Sequence, residues 1–278
     1  MGCDIHWFID LNFICKFEHL EINDPGLAGN SDNLASRTGQ VGAVTSLTYG
    51  WMIMQVPETL IGTAIATAML PTLSEFAANR NWTGFRQTIE KALKVLIALT
   101  LPVAAVMAAS LHPLVRAVFG FEENTSTLLT WTARIYLLTL AGYAVQETLV
   151  RAFYARQEPW PPFFSVLLRL TIYLALGISA IVYFQPIGAP AIAFAEVAAT
   201  FEAVILFLWL NRRLPDRFRV GSTMLKSLVA CLVGAAVTYA VALWLPGGAV
   251  LTAMVGILAG GFSVLPIIWP EIRLLCDL

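Results

Sequence analysis

Between residues 46 and 70 the chain is almost continuously apolar. At about 1.5 Å per residue, a helix of that length crosses a hydrocarbon layer of about 30 Å. Two neighbours break the pattern, Pro57 and Glu58. A proline inside a helix removes one hydrogen bond and bends the axis, and an ionised carboxylate at mid-membrane is costly unless it faces protein or water. The pattern predicts a kinked span that ends near Pro71 and presents Glu58 either to a polar cavity or to a neighbouring helix at the kink.

Six further apolar stretches follow, at 92–111, 127–149, 163–184, 187–210, 224–245 and 250–269. Between the first two spans, Phe85, Ile89 and Leu93 recur at four-residue spacing beside Arg86, Lys91 and Lys94. That is the pattern of a basic helix resting on anionic lipid. Pro102 predicts a bend in the second span. The third span carries Arg134 toward one end and Gln146 and Glu147 toward the other. Glu147 and Arg151 are four apart with the acid first, so they can pair on one face as a structural clasp or gate. Arg134 either meets an anionic headgroup or snorkels to the interface.

In the fourth span Arg169 lies about two turns from the start, close enough to snorkel. The fifth spaces Ala191, Ala195, Ala199 and Ala203 at four residues, a small-residue ridge suited to close helix contact. Glu202 falls on this ridge, as interhelical glue or as a cavity acid. Glu196 is expected to point about 120° away, so the two acids are not expected to act together. A lone glycine motif, Gly256 with Gly260, predicts ordinary packing in the seventh span. Trp51, Trp131, Trp160 and Trp269 near span ends fit an aromatic belt.

Composition agrees with the spans. The chain is 58% hydrophobic and 13% charged, against about 25% charged in soluble domains, and its mean hydropathy is +0.73. A net charge of −1 gives no reason to expect nucleic acid as a partner. Cys3, Cys15, Cys231 and Cys276 lack metal or disulfide spacing, and His6, His19 and His112 are scattered. No nucleophile motif, cofactor signature or metal site is expected, which points away from an enzyme.

Basic residues set the expected orientation. The loops after spans one, three, five and seven carry Arg80, Arg86, Lys91 and Lys94, then Arg151 and Arg156, then Arg212, Arg213, Arg217, Arg219 and Lys226, then Arg273; the other loops contribute only Arg116. The positive-inside rule places the basic loops and the C-terminus in the cytoplasm and residues 1–40 outside. Residues 1–40 combine a short, interrupted apolar run with a turn-rich loop and no basic leader. They are expected to be either a poorly defined N-terminal domain or a truncated or misread start.

The stretch LTYGWMIMQVPETLIGTAIATAMLPTLSEFAA, followed by LTLPVAAVMAASLHPLVRAVFG and LVRAFYARQEPWPP, resembles the MurJ/MviN family of lipid II flippases. The similarity runs from about residue 33 to 219 and more loosely onward. ATAMLPTLSEFA and RAFYARQEP are its most specific parts. The resemblance implies a fourteen-helix transporter with two six-helix lobes around a cationic cavity and two C-terminal helices beside a lipid groove. The seven spans here would match helices eight to fourteen, with 41–219 as a lobe of five spans and 220–278 as the two additional helices. The implied mechanism is alternating access, moving an undecaprenyl-linked peptidoglycan precursor across the bacterial cytoplasmic membrane. Glu58, Arg134, Glu147, Arg151 and Glu202 are the cavity candidates. Where the family often carries a headgroup-binding arginine this sequence has Met52, which cannot make charge-assisted bonds to phosphate. Seven spans would need the first lobe or a second copy to enclose a cavity. The alternatives are another exporter of the same superfamily, taking a polysaccharide-linked lipid or a drug-like cation, and a non-transporting membrane fragment or scaffold.

Overall fold

The computed structural model describes residues 43–121, 123–183, 189–214, 218–244 and 248–274. The expectations for residues 1–40 and for the turns at 184–188 and 245–247 lie outside these. Among the described residues the chain forms seven helices, each long and apolar enough to cross a membrane, with no strand. We number them α1 (Ala43–Ala78), α2 (Trp82–Phe119), α3 (Glu123–Ala155), α4 (Trp160–Tyr183), α5 (Ala189–Arg213), α6 (Gly221–Trp244) and α7 (Ala249–Arg273). All-helical architecture follows from the solvent, because in hydrocarbon each backbone N–H and C=O needs a partner within its own segment.

The break in α1 is a change of winding. Its α-helical halves, Ala43–Pro57 and Ala64–Ala78, are joined by a π-helical turn at Glu58–Thr63. Pro57 has no N–H to donate, and the wider turn that follows accommodates the lost bond. The expected stop at Pro71 does not occur. The helix runs on to Ala78, because Met69 and Leu73 are buried in a core that includes Phe85, Leu149 and Phe153. Burying side chains of this size contributes about 1.5–3 kcal/mol each, which offsets the roughly 3 kcal/mol cost of an internal proline. Arg80, at φ 53°, makes the actual turn, and the Asn81 side chain starts α2 by accepting from the Gly84 N–H at 3.0 Å.

The second correction concerns the basic amphipathic segment. It is the first third of a single helix, α2, and its apolar face does not rest on lipid. Phe85 and Ile89 are 0% exposed, packed with Leu206 and Leu210 of α5 and Phe153 of α3. The periodicity was sound, but protein covers the stripe. On the other face, Glu90 is gripped by Arg86 at 3.2 Å and Lys94 at 2.7 Å.

The central helix is α3, which contacts α1, α2 and α5. A second core near its start gathers Met54, Leu111, Leu129, Leu137 and Leu140. The alanine ridge of α5 is buried at Ala195, Ala199 and Ala203. Backbones approach so closely there that a Cβ on Gly142 would stand 2.4 Å from Thr200 Oγ1. The glycine motif of α7 makes the equivalent contact with α6: a Cβ on Gly260 would meet Thr238 Oγ1 at 2.1 Å and the Gly234 carbonyl at 3.0 Å. Thr238 Oγ1 itself donates to the Gly234 carbonyl at 2.8 Å and lies 3.2 Å from that of Gly256. A Gly260→Leu substitution should therefore force α6 and α7 apart and destabilise the pair by about 1–3 kcal/mol. Thermal unfolding in detergent reads this as a lowered midpoint; an unchanged midpoint would mean that the glycine contact does not hold the two helices.

Candidate functional site

The π-turn aims two side chains at α3. Glu58 opens the turn and Thr63 closes it, and Gly62 between them lies against Ala144, where a Cβ would come within 3.1 Å of the Ala144 Cβ and 2.9 Å of Glu58 Oε1. Glycine thus lets α1 approach α3 and leaves space for the Glu58 carboxyl. Glu58 lies beside Glu147, Thr63 and Arg151. Thr63 Oγ1 donates to Glu147 Oε2 at 2.9 Å, Arg151 Nη2 donates to Glu147 Oε1 at 2.5 Å, and Arg151 Nη1 donates to the Thr63 carbonyl at 3.1 Å.

The pairing of Glu147 with Arg151 matches its sequence expectation, and Glu58 joins them in the same half-buried group. Thr63 was missed. Its signal was available: it lies five residues after Glu58, the repeat of a π-turn rather than of an α-helix.

A second polar cluster lies one helical turn along α3. Tyr143, Glu147 and Arg151 are spaced four apart and so lie along one face. Here Arg169 departs from expectation: it does not snorkel but is 7% exposed, inserted from α4 between α3 and α5. Its Nη2 donates to Tyr143 Oη at 2.5 Å and to Glu196 Oε2 at 3.4 Å, its Nη1 lies 3.8 Å from Glu202 Oε2, and its guanidinium carbon is 4.9 Å from the centre of the Tyr143 ring. The Tyr143 hydroxyl donates to Glu196 Oε2. Trp51 of α1 packs edge-on against the same tyrosine, 5.4 Å between ring centres.

Glu196 and Glu202 therefore share one partner, although their spacing predicts divergent directions. The chain between them is regular α-helix, so their directions do diverge, and it is the long Arg169 side chain, entering from α4 with a wide guanidinium fork, that reaches both acids.

Arg134 belongs to neither cluster. Its Nε donates to the Ala108 carbonyl of α2 at 3.0 Å, and its guanidinium lies 5.1 Å from the Trp131 ring centre. Met52 is 54% exposed on an open face of α1 that also shows Val56 and Leu60. The turn within RAFYARQEP is fastened by Glu158, which accepts from Arg156 at 3.0 Å and from Arg213 of α5 at 2.6 Å, while Arg156 stacks 4.9 Å from the centre of the Trp82 ring. Among the described residues no three His, Cys, Asp or Glu side chains are grouped to hold a metal ion.

The sequence profile of the MurJ family, described as lipid II flippase MurJ, matches residues 31–259. The chain belongs to the MurJ family. The match extends past residue 219 through α6 and into α7. The "Probable lipid II flippase MurJ" of Rhizobium meliloti is 27% identical over 223 residues, covering 77% of this chain and 40% of that relative. The "Lipid II flippase MurJ" of Burkholderia cenocepacia is 28% identical over 185 residues, covering 65% and 35%. A Haemophilus influenzae relative, also named "Probable lipid II flippase MurJ", is 27% identical over 211 residues, covering 71% and 41%. The chain thus spans about two fifths of the length of the MurJ relatives it matches.

The Glu147–Arg151 pair can be weighed by a double-mutant cycle with Glu147→Ala and Arg151→Ala. An exposed pair at this spacing contributes about 0.3–0.5 kcal/mol. This one is partly shielded and tied to the π-turn through Thr63, so a coupling above about 1 kcal/mol is expected from unfolding in detergent. A coupling no larger than that of an exposed pair would reduce the group to incidental contacts.

Proposed function

We propose that this chain is the C-terminal half of a lipid II flippase, working by alternating access in the bacterial cytoplasmic membrane. The observation that carries the reading is the family match over residues 31–259. The substrate is an undecaprenyl-linked peptidoglycan precursor carried between leaflets, a transport step in which no covalent bond of the lipid changes. The basic loops set the C-terminus in the cytoplasm. The rest of the transporter, a first lobe or a second copy, covers the open face of α1 around Met52, Val56 and Leu60.

In this reading Glu58, Glu147 and Arg151 are a coupled group at the wall of the cavity. The π-turn makes α1 the helix that can change winding between states, because a wide turn is one residue out of register with the α-helix on either side. Arg134 is a headgroup candidate, and Glu202 acts deeper, between α4 and α5. A second reading is favoured by one observation. Both clusters carry two acids to one guanidinium, and Met52 stands where the resemblance implies a phosphate-binding arginine, a balance that suits a cationic substrate better than an anionic headgroup.

Complementation separates these readings. In cells depleted of their own lipid II flippase, the chain fused to the first lobe of a related flippase is expected to restore growth, and the chain alone is not. Failure of a fusion that reaches the membrane would set lipid II aside and leave the cation exporter or a non-transporting fragment. Within a complementing fusion, Glu58→Gln is expected to slow flipping by about tenfold or more, the effect of about 1.4 kcal/mol on a barrier. Unaltered flipping would remove Glu58 from the coupled group.

A further inference from the structure

We propose that Arg134, with His112 and Arg116 beside it, is a binding site for the phosphate of a lipid headgroup, at the end of the bundle where α2 passes into α3. The inference deepens the assignment of Arg134 as a headgroup candidate and rests on that part of the reading above. It does not require that the chain move lipid II.

The Arg134 guanidinium is held on one edge and one face. Its Nε donates to the Ala108 carbonyl of α2 at 3.0 Å, and its central carbon lies over the Trp131 ring, 5.1 Å from the centre. Its two terminal nitrogens meet no acceptor among the described residues, and they are not buried. An arginine that only snorkelled would keep its stem free to move. Here the stem is fixed by protein contacts in advance, so less side-chain freedom is lost when an anion meets the open end of the fork.

The charge around it is unbalanced in the direction an anion requires. Ala108, His112 and Arg116 are spaced four apart and line one face of α2, and Arg116 and Arg134 are the charged neighbours of His112. Arg116 pairs with Glu123 at the start of α3, whereas no carboxylate among the described residues pairs with Arg134. Two guanidinium groups and an imidazole thus stand against one paired acid. This reverses the balance at Glu58 and at Arg169, where two acids accompany one guanidinium. A surplus cation within a span calls for an anion that can reach it.

Depth and shape narrow the choice to phosphate. Arg134 lies about two turns into the apolar run that opens at residue 127, within reach of the headgroup layer for a long side chain. Trp131 is 54% exposed, and a half-exposed indole near a span end sits at headgroup level. The anion found at that level is phosphate, and a planar fork takes two of its oxygens together. The phosphate belongs either to a polyprenyl pyrophosphate or to an ordinary anionic phospholipid; the chemistry is shared, and titration separates the sources.

Native mass spectrometry of the full chain in detergent tests the site, with undecaprenyl pyrophosphate, phosphatidylglycerol and phosphate-free diacylglycerol titrated in turn. Saturable retention of a phosphate-bearing lipid is expected, weakened by about tenfold or more in Arg134→Gln and by less in Arg134→Lys, which keeps the charge and loses the fork. Preference for the pyrophosphate would assign the site to a polyprenyl carrier, and equal retention of phosphatidylglycerol to membrane anions in general. Diacylglycerol held as well as either, or an affinity unchanged by Arg134→Gln, would overturn the proposal. Arg134→Gln also gives up the bond to Ala108. Should that variant not fold, His112→Glu decides the matter, because it sets a carboxylate beside the guanidinium in place of the anion: retention should fall by a similar factor, and unchanged retention would overturn the assignment. Binding is read here without transport, so failure to complement and failure of this site are separately visible.

Discussion

A buried charge in a bundle bathed by hydrocarbon must find its compensation inside the bundle, and Arg169 is where this constraint shapes the fold. An isolated guanidinium at that depth would cost several kcal/mol. Instead α4 brings it to Tyr143 of α3 and to Glu196 and Glu202 of α5, so three helices are fixed relative to one another by the needs of one side chain. Glu196 stands where the 3-10 turn at Phe194–Glu196 passes into the regular helix that carries Glu202. Much of α4 otherwise faces outward, with Phe163, Leu167 and Ile178 exposed, so the polar contact does most to define its docking. In water such a contact would contribute little; in lipid it cannot be exchanged for solvation.

The same logic recurs at the π-turn of α1. A proline at mid-span leaves a gap in the hydrogen-bond ladder, and the winding widens to absorb it. The widened turn exposes the Thr63 carbonyl, which Arg151 takes up, and Arg151 is neutralised by Glu147 one turn before it on α3. The irregular backbone and the intramembrane charges are therefore mutual solutions. Each polar side chain satisfies a group that the irregular winding, or another charge, would leave unpaired. Tyr143, Glu147 and Arg151 line one face of α3, so the two clusters form a continuous polar seam through an apolar bundle.

The seven spans were legible because hydrocarbon thickness sets a long minimum length for an apolar run, and little else in a sequence produces such runs. The Glu147–Arg151 pair was legible for the same local reason, as helix geometry alone brings i and i+4 together. What was hidden depended on neighbours. The stripe of Phe85, Ile89 and Leu93 is the same stripe whether lipid or protein covers it, and only the packing of α3 and α5 decides. Arg169 is close enough to a span end to reach the interface, and nothing in its own helix reveals two acids on the next. Glu196 and Glu202 do diverge along regular helix, and only a long side chain from another helix, Arg169, brings them to one partner.

The distribution of tight and open surfaces completes the physical picture. Where helices touch, they do so through glycine, alanine and threonine, as at Gly142 with Thr200 and Gly260 with Thr238, and such contacts tolerate no added methyl group. The outer faces of α6 and α7 carry Leu225, Leu232, Leu251 and Phe262, as hydrocarbon requires. The exposed face of α1 is equally apolar at Met52, Val56 and Leu60, yet on the same helix Glu58 and Thr63 turn inward to the polar seam. A helix that meets an apolar surface on one side and a charged group on the other, with a widened turn between its halves, is held as two separately anchored pieces. The half from Ala64 onward buries Met69 and Leu73 in one core, and the half up to Pro57 buries Met54 in the other. Any relative motion within α1 would therefore concentrate at the π-turn, where the carboxylates already sit.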